Sequence, residues 1–185
     1  LVGDSGTRPG SSGFWSPSSM NQSLTAAALR VALFEPRIPP NTGNVARTCA
    51  AFKTPLALVE PLGFSLDDRQ LKRAGLDYWP HVDVTVHRNF DQLLLELPEQ
   101  RRLIGCSRYG GDPLQNFPFE FGDVLLFGRE DTGLPNTIRT QCDAIVTIPM
   151  PGSADSEGKG GVRSLNLSVA CALVLYTAGV RLAMW

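Results

Sequence analysis

The chain has 185 residues, 43% of them apolar and 19% charged, with a formal net charge of −1. That is enough chain, of ordinary globular composition, for one domain with a real core. The near-neutral charge excludes a protein that grips nucleic acid by overall charge and leaves room only for local basic patches or an assembly. No apolar run approaches the roughly 20 residues of a membrane span.

In chain order, Leu1 to about Thr25 is rich in Gly, Ser and Pro, has no hydrophobic period and lacks the apolar core of a signal peptide. Residues 1–25 read as a disordered leader with Met20 a candidate start, and residues 26–185 as the folded domain. Leu29 to Phe34 is a first strand. A proline-stiffened loop from Glu35 follows, and Asn41 or Thr42 is expected to cap a helix running to about Phe52. Asn44 and Arg47, three residues apart, share a face of that helix. Leu56 to Glu60 is a second strand. Ser65 is expected to cap a helix from Leu66 to about Ala74, whose Arg69, Lys72 and Arg73 form either a solvated face or an RNA contact. Val82 to Val86 alternates as a strand, Phe90 to Leu97 patterns as a helix, and Leu103 to Cys106 is another strand. Val124 to Phe127 is an apolar run that stops at Gly128, before Gly133 and the helix-starting Pro135. A short helix near Pro135 to Arg139 precedes the last strand, Ala144 to Ile148. After a Gly- and Ser-rich loop, Ser164 is expected to cap an apolar helix from Leu165 to about Leu182.

Strands and helices alternate almost throughout, so the fold class is α/β, with a mainly parallel sheet flanked by helices. The loops after Cys106, Phe127 and Ile148 all leave the same edge of such a sheet, where small-molecule sites form, and together they line one pocket. Nucleotide-binding fingerprints fail. Gly158-Lys159 is followed by Gly160 where a P-loop requires Ser or Thr, and Gly43 is alone where a dinucleotide site needs three glycines. Cys49, Cys106, Cys142 and Cys171 lie in apolar surroundings and read as reduced core residues of a cytoplasmic protein. With only His81 and His87 besides, there is no metal-ligand spacing.

Three segments together resemble the SpoU-type branch of the SPOUT RNA methyltransferases. They are Asn41-Thr42-Gly43-Asn44-Val45-Ala46-Arg47, then Leu126 to Leu134, then Ile148-Pro149-Met150 leading to Ser164-Leu165-Asn166-Leu167-Ser168. Glu35 to Arg47 and Arg73 to Tyr78 are similar to the minimal subgroup that methylates the 2′-hydroxyl of the tRNA wobble cytidine or uridine. The resemblance spans about Leu29 to Leu182. It implies a C-terminal deep trefoil knot, a homodimer, tRNA as partner and S-adenosylmethionine as cofactor without a metal. Carried over by position, Cys106, Ser107, Gly128, Glu130, Gly133, Ile148, Met150, Ser164 and Leu165 would hold the cofactor. Arg47 matches the family's catalytic arginine, with Asn44 and Asn166 as polar neighbours. Two departures stand out. Pro151 to Arg163 is long for the family, either a lid or a surface insertion, and Cys106 is small for a residue packing on adenine.

A methyl sulfonium is electrophilic enough to need no metal, whereas a ribose 2′-hydroxyl must lose its proton as it attacks. Arginine rarely accepts that task, so Arg47 is better suited to clamp an RNA phosphate and stabilise the developing alkoxide. The alternative reading is an ordinary surface arginine in a salt bridge. At the level of the whole protein, the same reaction on ribosomal RNA and a catalytically silent RNA-binding protein are the other readings.

Overall fold

The computed structural model describes residues 28–66, 81–153 and 160–185. The expected leader, the expected helix from Leu66 with its basic cluster, and the middle of the long loop lie outside the described residues. Strands β1 (Leu29–Phe34), β2 (Leu56–Val59), β3 (Val84–His87), β4 (Leu103–Cys106), β5 (Asp112–Pro113), β6 (Asp123–Phe127) and β7 (Ala144–Thr147) form one seven-stranded sheet in the order β3-β2-β1-β6-β4-β7-β5. Every pairing is parallel. β1 and β6 are neighbours at the centre, and every residue in both is buried. That is why each reads as a nearly continuous apolar run rather than as alternation.

The side chains of β1 divide between two cores, as the two-residue period requires. Val31 and Leu33 pack with Val45 and Cys49 of helix α1 (Pro39–Ala51) and with Cys171, Val174 and Ala178 of helix α4 (Leu167–Arg181). Ala32 and Phe34 pack on the other face with Phe90 and Leu93 of helix α2 (Phe90–Glu96) and Ile138 of helix α3 (Asn136–Arg139). Among the described residues, no helix is long and apolar enough to cross a membrane.

Two helix starts differ from expectation. Asn41 and Thr42 do not cap α1. They are buried inside it, because Pro39 and Pro40 take its first turn, where a missing N–H costs nothing. Ser164 does not cap α4. Asn166 does, its Oδ1 accepting the Ser168 N–H at 2.9 Å. The third strand runs Val84–His87, later than the expected Val82 to Val86, and so brings His87 into the sheet.

Candidate active site

The site is built from the carboxyl ends of β4, β6 and β7. β6 delivers Phe127 into the core and stops at Gly128. A Cβ on Gly128 would lie 2.1 Å from the Gly133 carbonyl carbon and 2.2 Å from the Leu134 nitrogen, so only glycine lets the turn fold back on itself. The turn closes with paired bonds. Arg129 N–H donates to Gly133 O at 3.2 Å and Gly133 N–H donates to Arg129 O at 2.9 Å. Gly133 meets nothing at its own Cβ position but sits at φ +71°, where a side chain is disfavoured. After β4, Ser107 Oγ accepts the Tyr109 N–H at 3.0 Å. After β7, Ser153 N–H donates to Met150 O at 3.0 Å, and Val162 N–H donates to Gly152 O at 3.0 Å, which returns the chain toward Ser164.

These turns enclose a cavity of about 520 Å³, a size typical of small-molecule sites. Cys106 and Ser107 line it, as do Gly128, Glu130 and Gly133, Ile148 and Met150, and Ser164 and Leu165. Every cofactor position expected from the sequence is therefore on one wall or another. Phe127, Val146 and Val174 add apolar walls from the core, and Arg108, Tyr109 and Arg163 also line it as exposed residues. Burial pushes the Cys106 thiol well above its usual range, and nearby Cys171 and Cys142 push it the same way. Cys106 is thus a neutral wall and not a nucleophile.

Glu130 has a role that no local sequence pattern marks. Its Oε2 accepts the Arg37 N–H at 2.8 Å and its Oε1 accepts the Ile38 N–H at 3.1 Å. Those are orphan donors just before α1, and a carboxylate also suits the positive end of the helix. Asn41 Nδ2 donates to the same Oε1 at 3.3 Å, and Asn166 Nδ2 donates to Asn41 Oδ1 at 2.8 Å. A chain of hydrogen bonds therefore ties the Gly128–Gly133 turn to the starts of both α1 and α4. Beside it Arg129 donates to Glu35 from Nε at 3.0 Å and from Nη2, and lies over the Phe34 ring.

Asn166 thus stands in a network that includes a cavity-lining residue. Arg47 and Asn44 do not line the cavity. Both are exposed on α1. Asn44 lines a separate groove of about 430 Å³ between α1 and α4, with Phe52, Val169, Leu173 and Tyr176. Within one chain Arg47 is not among the residues that line the cavity. Among the described residues, no group of His, Cys, Asp and Glu is arranged to hold a metal ion.

A parallel α/β sheet whose last strands end in such turns defines a class. The chain belongs to the SpoU rRNA Methylase family, whose profile matches residues 28–176. The family's trefoil knot is thereby implied for the C-terminal part of the chain. Within the class, the chain is 43% identical over 148 residues to the tRNA (cytidine(34)-2'-O)-methyltransferase of Methylovorus glucosotrophus (strain SIP3-4), covering 80% of this chain and 92% of that one. A solved structure from work on the 2-OH methylation of C/U34 on tRNA matches with a TM-score of 0.78 at 45% identity, covering 86% of this chain and 99% of the other. The SpoU methyltransferase AviRb from Streptomyces viridochromogenes, in complex with the cofactor AdoMet, matches with a TM-score of 0.72 at 26% identity, covering 85% of this chain and 59% of that one.

Proposed function

We propose that the protein is an S-adenosylmethionine-dependent methyltransferase that methylates the ribose 2′-hydroxyl of the wobble nucleotide, cytidine or uridine 34, in tRNA. The observation that carries this reading is the convergence of three strand-end turns on one cavity, in a chain over 40% identical to relatives named for that reaction. The cavity suits the cofactor: it is large enough, it has both apolar and polar walls, and its turns offer backbone groups close to a ligand. The bound cofactor supplies an electrophilic methyl group. The turns at Ser107, Gly128 to Gly133, Ile148 to Met150 and Ser164-Leu165 hold and orient it. Glu130 and Asn166, bridged by Asn41, tie the Gly128–Gly133 turn to the starts of α1 and α4.

Arg47 clamps an RNA phosphate beside the target and stabilises the charge that develops on the 2′-oxygen. The 2′-hydroxyl that accepts the methyl group would lose its proton to water or a phosphate oxygen, with Arg47 offsetting the charge on the oxygen. Arg47 is away from the cavity of its own chain, so a second copy brings it into place. Val169, Leu173, Tyr176 and Val180 stand exposed along α4 beside the groove that Asn44 lines, and a two-fold partner covers them in a homodimer. Val174 on the same helix is buried in the chain's own core.

The test is to incubate the purified protein with labelled S-adenosylmethionine and total tRNA and to map the methylated nucleoside. Label in 2′-O-methylcytidine or 2′-O-methyluridine at position 34 is the expected result; label at another nucleotide or none contradicts it. For the shared site, Arg47→Ala and the cavity-filling Ile148→Trp are each expected to be inactive. Mixed dimers of the two are expected to recover about half the activity per dimer, a simple site count for independent sites. Mixed dimers that stay inactive contradict the shared site.

A further inference from the structure

Tyr109 is a large aromatic residue held out in water beside the cavity. It is 58% exposed, although burying such a ring ordinarily gains about 1.5–3 kcal/mol. Its position is fixed. The Tyr109 N–H donates to Ser107 Oγ at 3.0 Å, and its carbonyl accepts from Arg139 Nη2. The turn that carries it is pinned at both ends to β7, with Cys106 and Asp112 each in register with Val146. The Arg108 guanidinium lies over the Tyr109 ring, 4.3 Å from its centroid, so the ring is backed by a cation and braced by it. The same two residues line the cavity.

We propose that Tyr109, backed by Arg108, is the stacking platform for the base of the nucleotide being methylated, and so a residue that sets how the ribose is presented. This rests on the reading of the cavity as a methyl-transfer site for RNA. To bring a 2′-hydroxyl to the cofactor, the nucleotide has to leave its stack in the loop, and its base then needs a new partner. An aromatic face supplies one whatever the base, because every base has a π face. With the base on Tyr109, the ribose comes over the cavity and the flanking phosphate comes near Arg108. Stacking is tolerant of base identity, so both pyrimidines are accepted. The fixed turn means that little ordering is required when RNA arrives.

The experiment compares wild type, Tyr109→Ala and Tyr109→Phe on tRNA carrying either a pyrimidine or an abasic ribose at the target nucleotide. The abasic ribose keeps its 2′-hydroxyl. For wild type, removing the base is expected to raise KM about tenfold, within the range that one lost stacking contact produces. For Tyr109→Ala, KM is expected to be high on both substrates and the ratio between them to fall toward one, with S-adenosylhomocysteine affinity unchanged by calorimetry. Tyr109→Phe is expected to behave as wild type. An undiminished ratio in Tyr109→Ala overturns the proposal alone. Lost S-adenosylhomocysteine binding in that variant also overturns it and makes Tyr109 a wall of the cofactor site. If wild type transfers methyl to no tRNA at all, the underlying reading falls and this proposal falls with it.

Discussion

The two halves of the sheet end differently at the same edge. Past β1, β2 and β3 the loops lace into one another. Glu35 N–H donates to Val59 O, Glu60 N–H to His87 O and Gly63 N–H to Pro36 O, each at 2.9 Å. Gly63 is pressed so close that a Cβ would lie 2.7 Å from the Arg37 Cα. Past β4, β6 and β7 the turns close mainly on themselves, as in the paired bonds of Arg129 with Gly133 and the bonds of Thr132 to Asp131 Oδ1. Loops satisfied within themselves have no need to meet, and the space between them is the cavity. Both halves use a tight glycine at the edge; one seals the sheet and the other opens it.

The largest effect that separates the halves comes from those glycines. Gly128→Ala and Gly63→Ala are each expected to lower stability by roughly 1–3 kcal/mol, because in both the new methyl meets backbone that has little room to give. Only Gly128→Ala is expected to abolish S-adenosylhomocysteine binding in calorimetry, with Gly63→Ala binding as wild type. If both lose it, the closed half also shapes the site. A smaller effect is expected at the strut between the halves. Glu130→Ala leaves the Arg37 and Ile38 N–H groups unpartnered, at a cost of about 0.5–2 kcal/mol in denaturant unfolding. Asn41→Ala, which breaks the link from Glu130 to Asn166 while leaving both backbone bonds in place, should cost less than Glu130→Ala. Equal costs would mean that the strut and not the helix start carries the stability.

The smallest effect is in pH. His87 is 1% exposed on β3 in the closed half, with Nε2 3.0 Å from the Thr85 hydroxyl and Nδ1 3.2 Å from Glu96 Oε2, out of line for a hydrogen bond. Burial lowers its pKa below the ordinary 6.5; the Glu96 carboxylate opposes this and Arg30 adds to it. A cation-forming group with a lowered folded pKa takes up its proton in the unfolded chain first. Stability is therefore full above about 6.5 and falls as the pH drops below it, by at most about 1.4 kcal/mol per pH unit. His87→Gln is expected to flatten that slope in thermal unfolding measured across the acid range. A slope that persists in the variant assigns it to another group.

The strand ends of the open half were legible because apolar runs stopped at glycine or at a small polar residue, and these signals are local. The particular cofactor positions came from the family resemblance instead, and each of them lies on the cavity. The starts of α1 and α4 were less legible. Asn41, Thr42 and Ser164 are all good capping residues, but Pro39-Pro40 pulled the first helix forward, and Asn166 stood closer to the second. The capping role of Glu130 spans more than ninety residues and leaves no local pattern. The reason the turn needs glycine at 128 was not legible either: a Cβ there would strike the backbone of Gly133 and Leu134. Which face of α4 turns inward was not legible, because the helix is apolar nearly all round and periodicity does not tell Val174, which is buried, from Leu173, which is exposed. Arg30 and His87 are polar residues buried in the sheet, and nothing in the sequence distinguished them from surface ones.

The central claim is that the cavity serves methyl transfer to one hydroxyl, the ribose 2′-OH of nucleotide 34. The most direct measurement compares two tRNA substrates that differ only there, one with the natural ribose and one with 2′-deoxyribose, using labelled S-adenosylmethionine and wild-type protein. The account predicts label in the first tRNA, none in the second, and the second acting as a competitor of the first. Equal labelling of both would contradict it, because the methyl group would then have gone to another atom.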